Sequence, residues 1–184
     1  MTESTDEFRE KILVALQQSD DMRREGRAGR MLAVSPHIKS FGIVMGEADT
    51  LAIKNEAYEC YINGHYIATI LLSVSLIEHT LTDGILESGQ KPPWKFEALI
   101  ATARRKNLFP DDLLNMADQL RKIRNPFTHR GEGDDPNSFG NRFRTRRMHP
   151  TKLLEEDAQM ALLAMLRFFE LSLKHVSAEP SAEA

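Results

Sequence analysis

The chain has 184 residues and a formal net charge of −3, with 41% hydrophobic and 28% charged residues. This length and composition are typical of one soluble globular domain with a hydrophobic core, and the negative net charge excludes a generally basic nucleic-acid coat protein. The single cysteine, Cys60, excludes an internal disulfide and a cysteine-based zinc site.

The N-terminus of the chain and its most apolar stretch indicate a cytoplasmic protein without membrane contact. The N-terminus, MTESTDEFREK, is charged and lacks the apolar run of a signal peptide. The longest apolar stretch, residues 66–77, is interrupted by Thr69, Ser73 and Ser75, so we expect it to be too short and too polar to span a membrane. The histidines show no metal-ligand spacing, and we predict neither a metal site nor a cofactor.

The first 48 residues predict a short helix followed by a linker. Residues 5–18 place Phe8, Ile12, Leu13 and Leu16 on one helical face. The following segment, SDDMRREGRAGR, is polar and contains glycine, so we predict a linker there, and residues 31–47 are predicted as a loop with one short element. We expect three regions: an N-terminal helix and linker (1–48), a helical bundle domain (49–175) and a disordered tail (176–184).

A helical pattern begins near Asp49, where Asp49 or Thr50 can cap a helix that runs to about Ile62. Asn63-Gly64 then favours a helix end, because both residues tolerate a left-handed backbone. A second helix is predicted over 65–86. Its apolar residues recur at spacings of three and four. Residues 87–95 are predicted as a turn.

Three further segments complete the predicted bundle. A third helix is expected over 96–106, and a fourth begins after Pro110, where two aspartates favour a helix start. Residues 131–150 are predicted as a loop, followed by a last helix over about 153–175. No segment alternates with period two, so the fold class is all-α, an up-and-down bundle of four to five helices.

The segment RKIRNPFTHR, residues 121–130, carries the chemistry-bearing residues at the predicted end of the fourth helix. Pro126 predicts a break or kink, since proline lacks an N–H and clashes with the preceding turn. A kink, or a second molecule, can bring Arg124 and His129 to one cleft. Arginine suits phosphate, and histidine accepts and returns a proton near neutral pH. The structural alternative is that cations simply complement the dipole at a helix C-terminus.

The spacing Arg-Asn-x-x-x-His in RNPFTH resembles the Arg-x4-6-His motif of the HEPN superfamily. Upstream, EAYECYINGHYIATILLSVSLIEHTL is similar to the first helical hairpin of many bacterial HEPN proteins, in which an aliphatic helix closes with a glutamate-containing ending. The resemblance covers roughly residues 49–175.

The resemblance implies an α-helical bundle that dimerises, with two motif copies forming one composite cleft in catalytic members. Those members are metal-independent endoribonucleases of toxin–antitoxin and defence systems. By position, Arg124 would hold and neutralise the phosphate, Asn125 would orient it, and His129 would act as acid or base. The implied partners are RNA, a second copy of the chain, and a cognate antitoxin or other protein.

Two further features are assigned alongside the motif. Residues 121–150 are locally basic, and we predict a phosphate-tracking surface with a stacking aromatic ring from Arg121, Arg130, Arg142, Phe143, Arg144, Arg146 and Arg147. The alternative is a solvated loop whose arginines pair with acids of the last helix, such as Glu155 and Glu156. Glu78 is predicted to pair with Arg124 or to orient His129, with an ordinary helix-edge residue as the alternative.

Three functions follow from these observations. The first is RNA cleavage. The second is a non-catalytic module that binds RNA, a nucleotide or a protein partner, because HEPN-like folds also occur without activity. The third is a purely structural helical partner, in which the motif is sealed by salt bridges.

Overall fold

The computed structural model describes residues 4–39, 48–129 and 135–173. Within these ranges the protein is all-helical, with seven α-helices and one 3₁₀ turn, Ser35–His37. The helices are α1 (Thr5–Val34), α2 (Ala48–Ile62), α3 (Tyr66–Glu87), α4 (Phe96–Arg105), α5 (Asp111–Thr128), α6 (Phe139–Arg146) and α7 (Pro150–Ser172). The all-α helical bundle predicted from the sequence is therefore confirmed.

The core is built by five helices, α2, α3, α4, α5 and α7. Helix α3 lies at its centre and packs most extensively against α7 and α2. Its apolar stripe, including Ile70, Val74, Ile77 and Leu81, is buried, as the spacing of three and four predicts. Helix α2 ends at Ile62 because Gly64 follows with φ +80°, a left-handed conformation that favours glycine.

Helix α3 has the length predicted for the second helix, within one residue at each end. At 22 residues it is long and apolar enough to cross a membrane by length and composition, and half of its most apolar window is buried inside the bundle. This burial identifies α3 as the central core helix, whose apolar character serves packing.

The N-terminal region differs from the prediction of a short helix and a glycine-containing linker. Helix α1 runs unbroken through Gly26 and Gly29 to Val34. Tertiary contacts at its C-terminal end outweigh the cost of two glycines, about 1 kcal/mol each. Val34 is fully buried, and Arg30 donates from Nε and Nη2 to the Ile62 carbonyl at 2.9 and 2.8 Å.

The N-terminal half of α1 makes few contacts with the bundle. Its large apolar side chains are all exposed, namely Phe8, Ile12, Leu13, Val14 and Leu16. Ser4 begins the helix through a capping box with Glu7, so this half is well formed as a helix although its apolar residues are uncovered.

Two further segments correct the sequence prediction. The predicted loop 131–150 contains helix α6, which Ser138 caps by accepting from the Asn141 amide. The last helix begins at Pro150 instead of 153 and ends at Ser172. The predicted tail, 176–184, and residues 40–47 of the predicted loop lie outside the described residues, while the earlier part of that loop holds the end of α1 and the 3₁₀ turn Ser35–His37.

The phenol of Tyr61 gives a testable pH dependence. Burial, reinforced by Glu155, raises the pKa of Tyr61 to about 12. In the unfolded chain the phenol ionises near pH 10, so its stabilising contribution is full below about pH 10 and is lost as the pH rises through about 12. We expect wild type to lose about 1 kcal/mol of unfolding free energy through this group between about pH 9 and about pH 11, a range that lies below the folded-state pKa.

The measurement is urea unfolding at about pH 9 and about pH 11. The Tyr61→Phe variant should lose less stability between the two values, and Tyr58→Phe serves as the matched control for removal of a hydroxyl. Equal losses in wild type and Tyr61→Phe would contradict the role of Tyr61.

Candidate functional site

The burial of the apolar face of α5 places Arg124 at the edge of the bundle core. Leu120 and Ile123 are buried, and Arg124 follows Ile123 at the edge of this buried face. Its guanidinium is consequently held against α3 and α4, with 19% of the side chain exposed.

Arg124 contacts one carboxylate and one aromatic ring. Its Nη2 donates to Glu78 Oε1 at 3.0 Å, and its guanidinium carbon lies 5.9 Å from the centroid of the Phe96 ring. In the described structure its Nε is buried without a hydrogen-bond partner. A guanidinium carries five N–H donors, so the hydrogen bond to Glu78 uses only part of its donor capacity.

His129 lies where the chain leaves α5. Its backbone is extended, and its amide donates to the Asn125 carbonyl at 2.8 Å. The Thr128 hydroxyl donates to the same carbonyl at 3.2 Å. His129 is exposed and Asn125 is half-buried, so the imidazole is accessible to solvent at the end of the helix.

The prediction of a break at Pro126 is wrong, because α5 continues through Pro126 to Thr128, and the alternative of a kink stays a prediction. Pro126 lacks the N–H that would bond to the Lys122 carbonyl, but it lies in the last turn, so only two helical residues follow it. Within the described part of the chain, no hydrogen bond or ion pair joins Arg124 to His129. Their meeting in one cleft through a second molecule stays a prediction.

Helix α6 is anchored by a buried ion pair. Arg142 donates from Nη1 and Nη2 to the two carboxylate oxygens of Asp157, at 2.8 and 2.5 Å. Asp157 is 2% exposed. Both terminal nitrogens of Arg142, predicted to contact RNA, are thus occupied by a carboxylate of α7, and the residue fixes α6 against the bundle.

The other arginines predicted to contact RNA differ in the contacts that they make within the described residues. Arg146 pairs with Glu156 at 3.1 Å, as the alternative interpretation of the basic segment expected. Arg144 donates from Nε to the Gly140 carbonyl. Arg147 is exposed, and its backbone is in the left-handed conformation, with φ 49°. Arg130 lies outside the described residues.

Arg121 belongs to a network of charges and is as little exposed as Arg124, at 19% of its side chain. It pairs with Asp118 at 2.9 Å and reaches Glu97 at 4.0 Å. Burial alone would raise the pKa of Asp118, but hydrogen bonds from Lys122 and Arg121 outweigh it and lower the pKa below its usual value. Arg121 is therefore engaged with these acidic residues one turn before Arg124.

A row of aromatic rings connects the motif to α6. The ring of Phe127, inside the motif, lies 6.0 Å from that of Phe139, which lies 5.8 Å from that of Phe143. Such tilted pairs stabilise contacts beyond area burial. Phe143, predicted to stack on a base, is half-buried in this row, so its ring contributes to the packing of α6.

Sequence reasoning missed two residues of this region. Asp157 stands within the apolar face of α7, and an acid at such a position is a usable signal, since a buried charge requires a partner. Trp94 was passed over in the predicted turn and is 99% exposed. Among the described residues, no three His, Cys, Asp or Glu side chains are grouped to hold a metal ion.

The chain was compared with family models, with curated proteins and with solved structures, and none of them matches it. The fold and the site together describe this protein as an all-α helical bundle in which an arginine and a histidine lie at the end of one core helix. The function is therefore inferred from this bundle and from these two residues.

Proposed function

We propose that the protein is a cytoplasmic, metal-independent endoribonuclease of the HEPN type, toxin- or defence-like, acting as a homodimer. The observation that carries the proposal is the Glu78–Arg124 ion pair, with Nη2 to Oε1 at 3.0 Å. It holds a partly buried guanidinium five residues before an exposed histidine. Fixed donors aimed at a phosphate are worth most where solvent is reduced.

The proposed chemistry uses the chain's own residues. His129 takes the proton from the ribose 2′-OH, the 2′ oxygen forms a bond to phosphorus, and the bond to the 5′ oxygen breaks. The proton passes to that leaving oxygen. Arg124 neutralises charge on the phosphoryl oxygens, and Asn125 orients the phosphate. The products carry a 2′,3′-cyclic phosphate and a 5′-hydroxyl.

A dimer would bring an arginine and a histidine of the motif together, which a single chain does not do. Arg124 faces α3 and α4, whereas His129 is exposed at the end of α5. Two copies with their α5 ends adjacent would place the histidine of one chain near the arginine of the other. The proposal therefore requires a homodimer, which light scattering after size-exclusion chromatography measures.

The experiment is cleavage of mixed RNA by wild type with EDTA present. We expect cleavage in EDTA, products with 2′,3′-cyclic phosphate ends, and no cleavage where the attacked nucleotide carries a 2′-deoxyribose. Products with 3′-hydroxyl ends, or equal cleavage of the deoxy-substituted strand, would contradict the mechanism.

A second candidate function is a non-catalytic module that binds a protein partner such as a cognate antitoxin. It is favoured by the uncovered apolar residues of the N-terminal half of α1, since exposed apolar patches mark interaction sites. The two functions differ in the cleavage assay, where this candidate predicts no activity from wild type.

A further inference from the structure

Trp94 is the chain's single tryptophan and the most exposed of its large apolar side chains among the described residues. It is 99% exposed. Tryptophan is among the residues that most often become buried in a binding site, because a large ring leaves water on contact. Its position outside the bundle core means that packing does not explain it.

The local sequence holds Trp94 outward. It follows Pro92 and Pro93, whose rings fix φ and restrict the preceding residue to extended backbone. The segment begins after Gly89, which has φ +78° and ends the turn after α3. Trp94 and Lys95 themselves form a bend, and the fixed φ of the two prolines reduces the backbone freedom that the segment before Trp94 would lose when a ligand binds.

Trp94 is close to the candidate site along the chain. It stands two residues before Phe96, whose ring lies 5.9 Å from the Arg124 guanidinium carbon. Two residues span at most about 7 Å. Helix α4 also runs antiparallel to α5, since Glu97 approaches Arg121 and Arg104 hydrogen-bonds to Asn115. The start of α4 and the end of α5 therefore lie at the same end of the bundle.

Two exposed lysines lie near Trp94 in the chain. Residues 88–96, SGQKPPWKF, contain Lys91 and Lys95 and no acidic residue, with Glu87 and Glu97 on either side of the segment, and both lysines are exposed. Aromatic rings stack on nucleobases whatever their sequence, and lysines bind the phosphates between them. This combination suits a single strand of RNA better than an acidic or purely apolar ligand.

We propose that Trp94 is a stacking platform for a base of single-stranded RNA, with Lys91 and Lys95 on the flanking phosphates. The inference rests on the proposed function, because the bound strand would then lead to Arg124. It assigns the substrate as unpaired RNA, since the bases of a duplex are already stacked on each other.

The test uses the intrinsic fluorescence of the single tryptophan. The probe is a 2′-O-methyl oligonucleotide of mixed sequence and about 12 nucleotides, which the proposed 2′-OH chemistry cannot cleave. We expect saturable quenching by the single strand and little quenching by the same sequence as a duplex. Equal quenching by both forms, or none by either, would overturn the stacking assignment.

Variants make the test quantitative. With a fluorescein-labelled probe and anisotropy, Trp94→Ala is expected to weaken binding about 5- to 100-fold, whereas Trp94→Phe retains most of the affinity. Phe8→Ala is the matched control, because Phe8 is also an exposed aromatic residue but lies on the N-terminal half of α1, and its loss should leave binding unchanged.

The outcomes separate this inference from the proposed function. Unchanged binding by Trp94→Ala, with RNA cleavage intact, overturns the platform and leaves the nuclease proposal standing. Quenching and weakened binding without any cleavage by wild type support the platform on a non-catalytic RNA-binding module. No binding of the oligonucleotide by wild type overturns the inference and points to a protein partner for Trp94.

Discussion

Asp157→Ala is expected to lower the free energy of unfolding by about 3–5 kcal/mol. The substitution leaves Arg142, 15% exposed, without the carboxylate that receives both of its terminal nitrogens. A buried charge without a partner is costly, because the protein interior solvates it poorly. Urea unfolding followed by circular dichroism measures the change.

The chain offers a matched control for this pair. Arg146 and Glu156 also join α6 to α7, but their side chains are 48% and 36% exposed, so Glu156→Ala should cost no more than about 1 kcal/mol. The double variant Arg142→Met with Asp157→Leu is expected to recover much of the lost stability. A loss of under about 1 kcal/mol in Asp157→Ala would show that the pair does not hold α6.

Arg124→Ala is expected to lower kcat/KM for RNA cleavage at least about 100-fold. The substitution removes the fixed cation that neutralises the phosphoryl oxygens. A more mobile lysine replaces that cation only in part. Arg124→Lys should therefore keep an intermediate activity. Glu78→Gln retains an oxygen that accepts from Arg124 Nη2, so we expect a smaller decrease than for Arg124→Ala.

Arg147→Ala is the control for this second prediction, because Arg147 is an exposed arginine directly after α6, the short helix next to the motif. It should change RNA affinity mildly and its salt dependence slightly. Equal losses in Arg147→Ala and Arg124→Ala would mean that general positive charge, and not a positioned guanidinium, supports cleavage. Thermal unfolding of each variant checks that the fold is intact.

The helices of the bundle could be predicted from the sequence because their apolar periodicity is strong. Helices α2 to α5 agree with the predicted segments within a residue or two, apart from the continuation through Pro126. The continuation of α1 could not be predicted, since it depends on Arg30 reaching the Ile62 carbonyl, 32 residues away. Helix α6 depends likewise on Asp157, although its cap, Ser138, was visible in the sequence.

The site could be predicted in part for a related reason. Arg124 was one of the two partners predicted for Glu78, because both residues border buried helical faces. The occupation of Arg142 by Asp157 was not foreseen, since composition shows a basic segment but not which acid each arginine meets. A count of basic residues in a segment predicts a basic surface only when it is known which of them form ion pairs with acidic residues.

The most direct measurement of the central claim compares wild type and His129→Ala on the same RNA with EDTA present. His129 is exposed at the end of α5, so its removal should leave fold and dimer unchanged, which circular dichroism and light scattering verify. The account predicts cleavage by wild type and a loss of at least about 100-fold in the variant. Equal cleavage by the two purified proteins would contradict it.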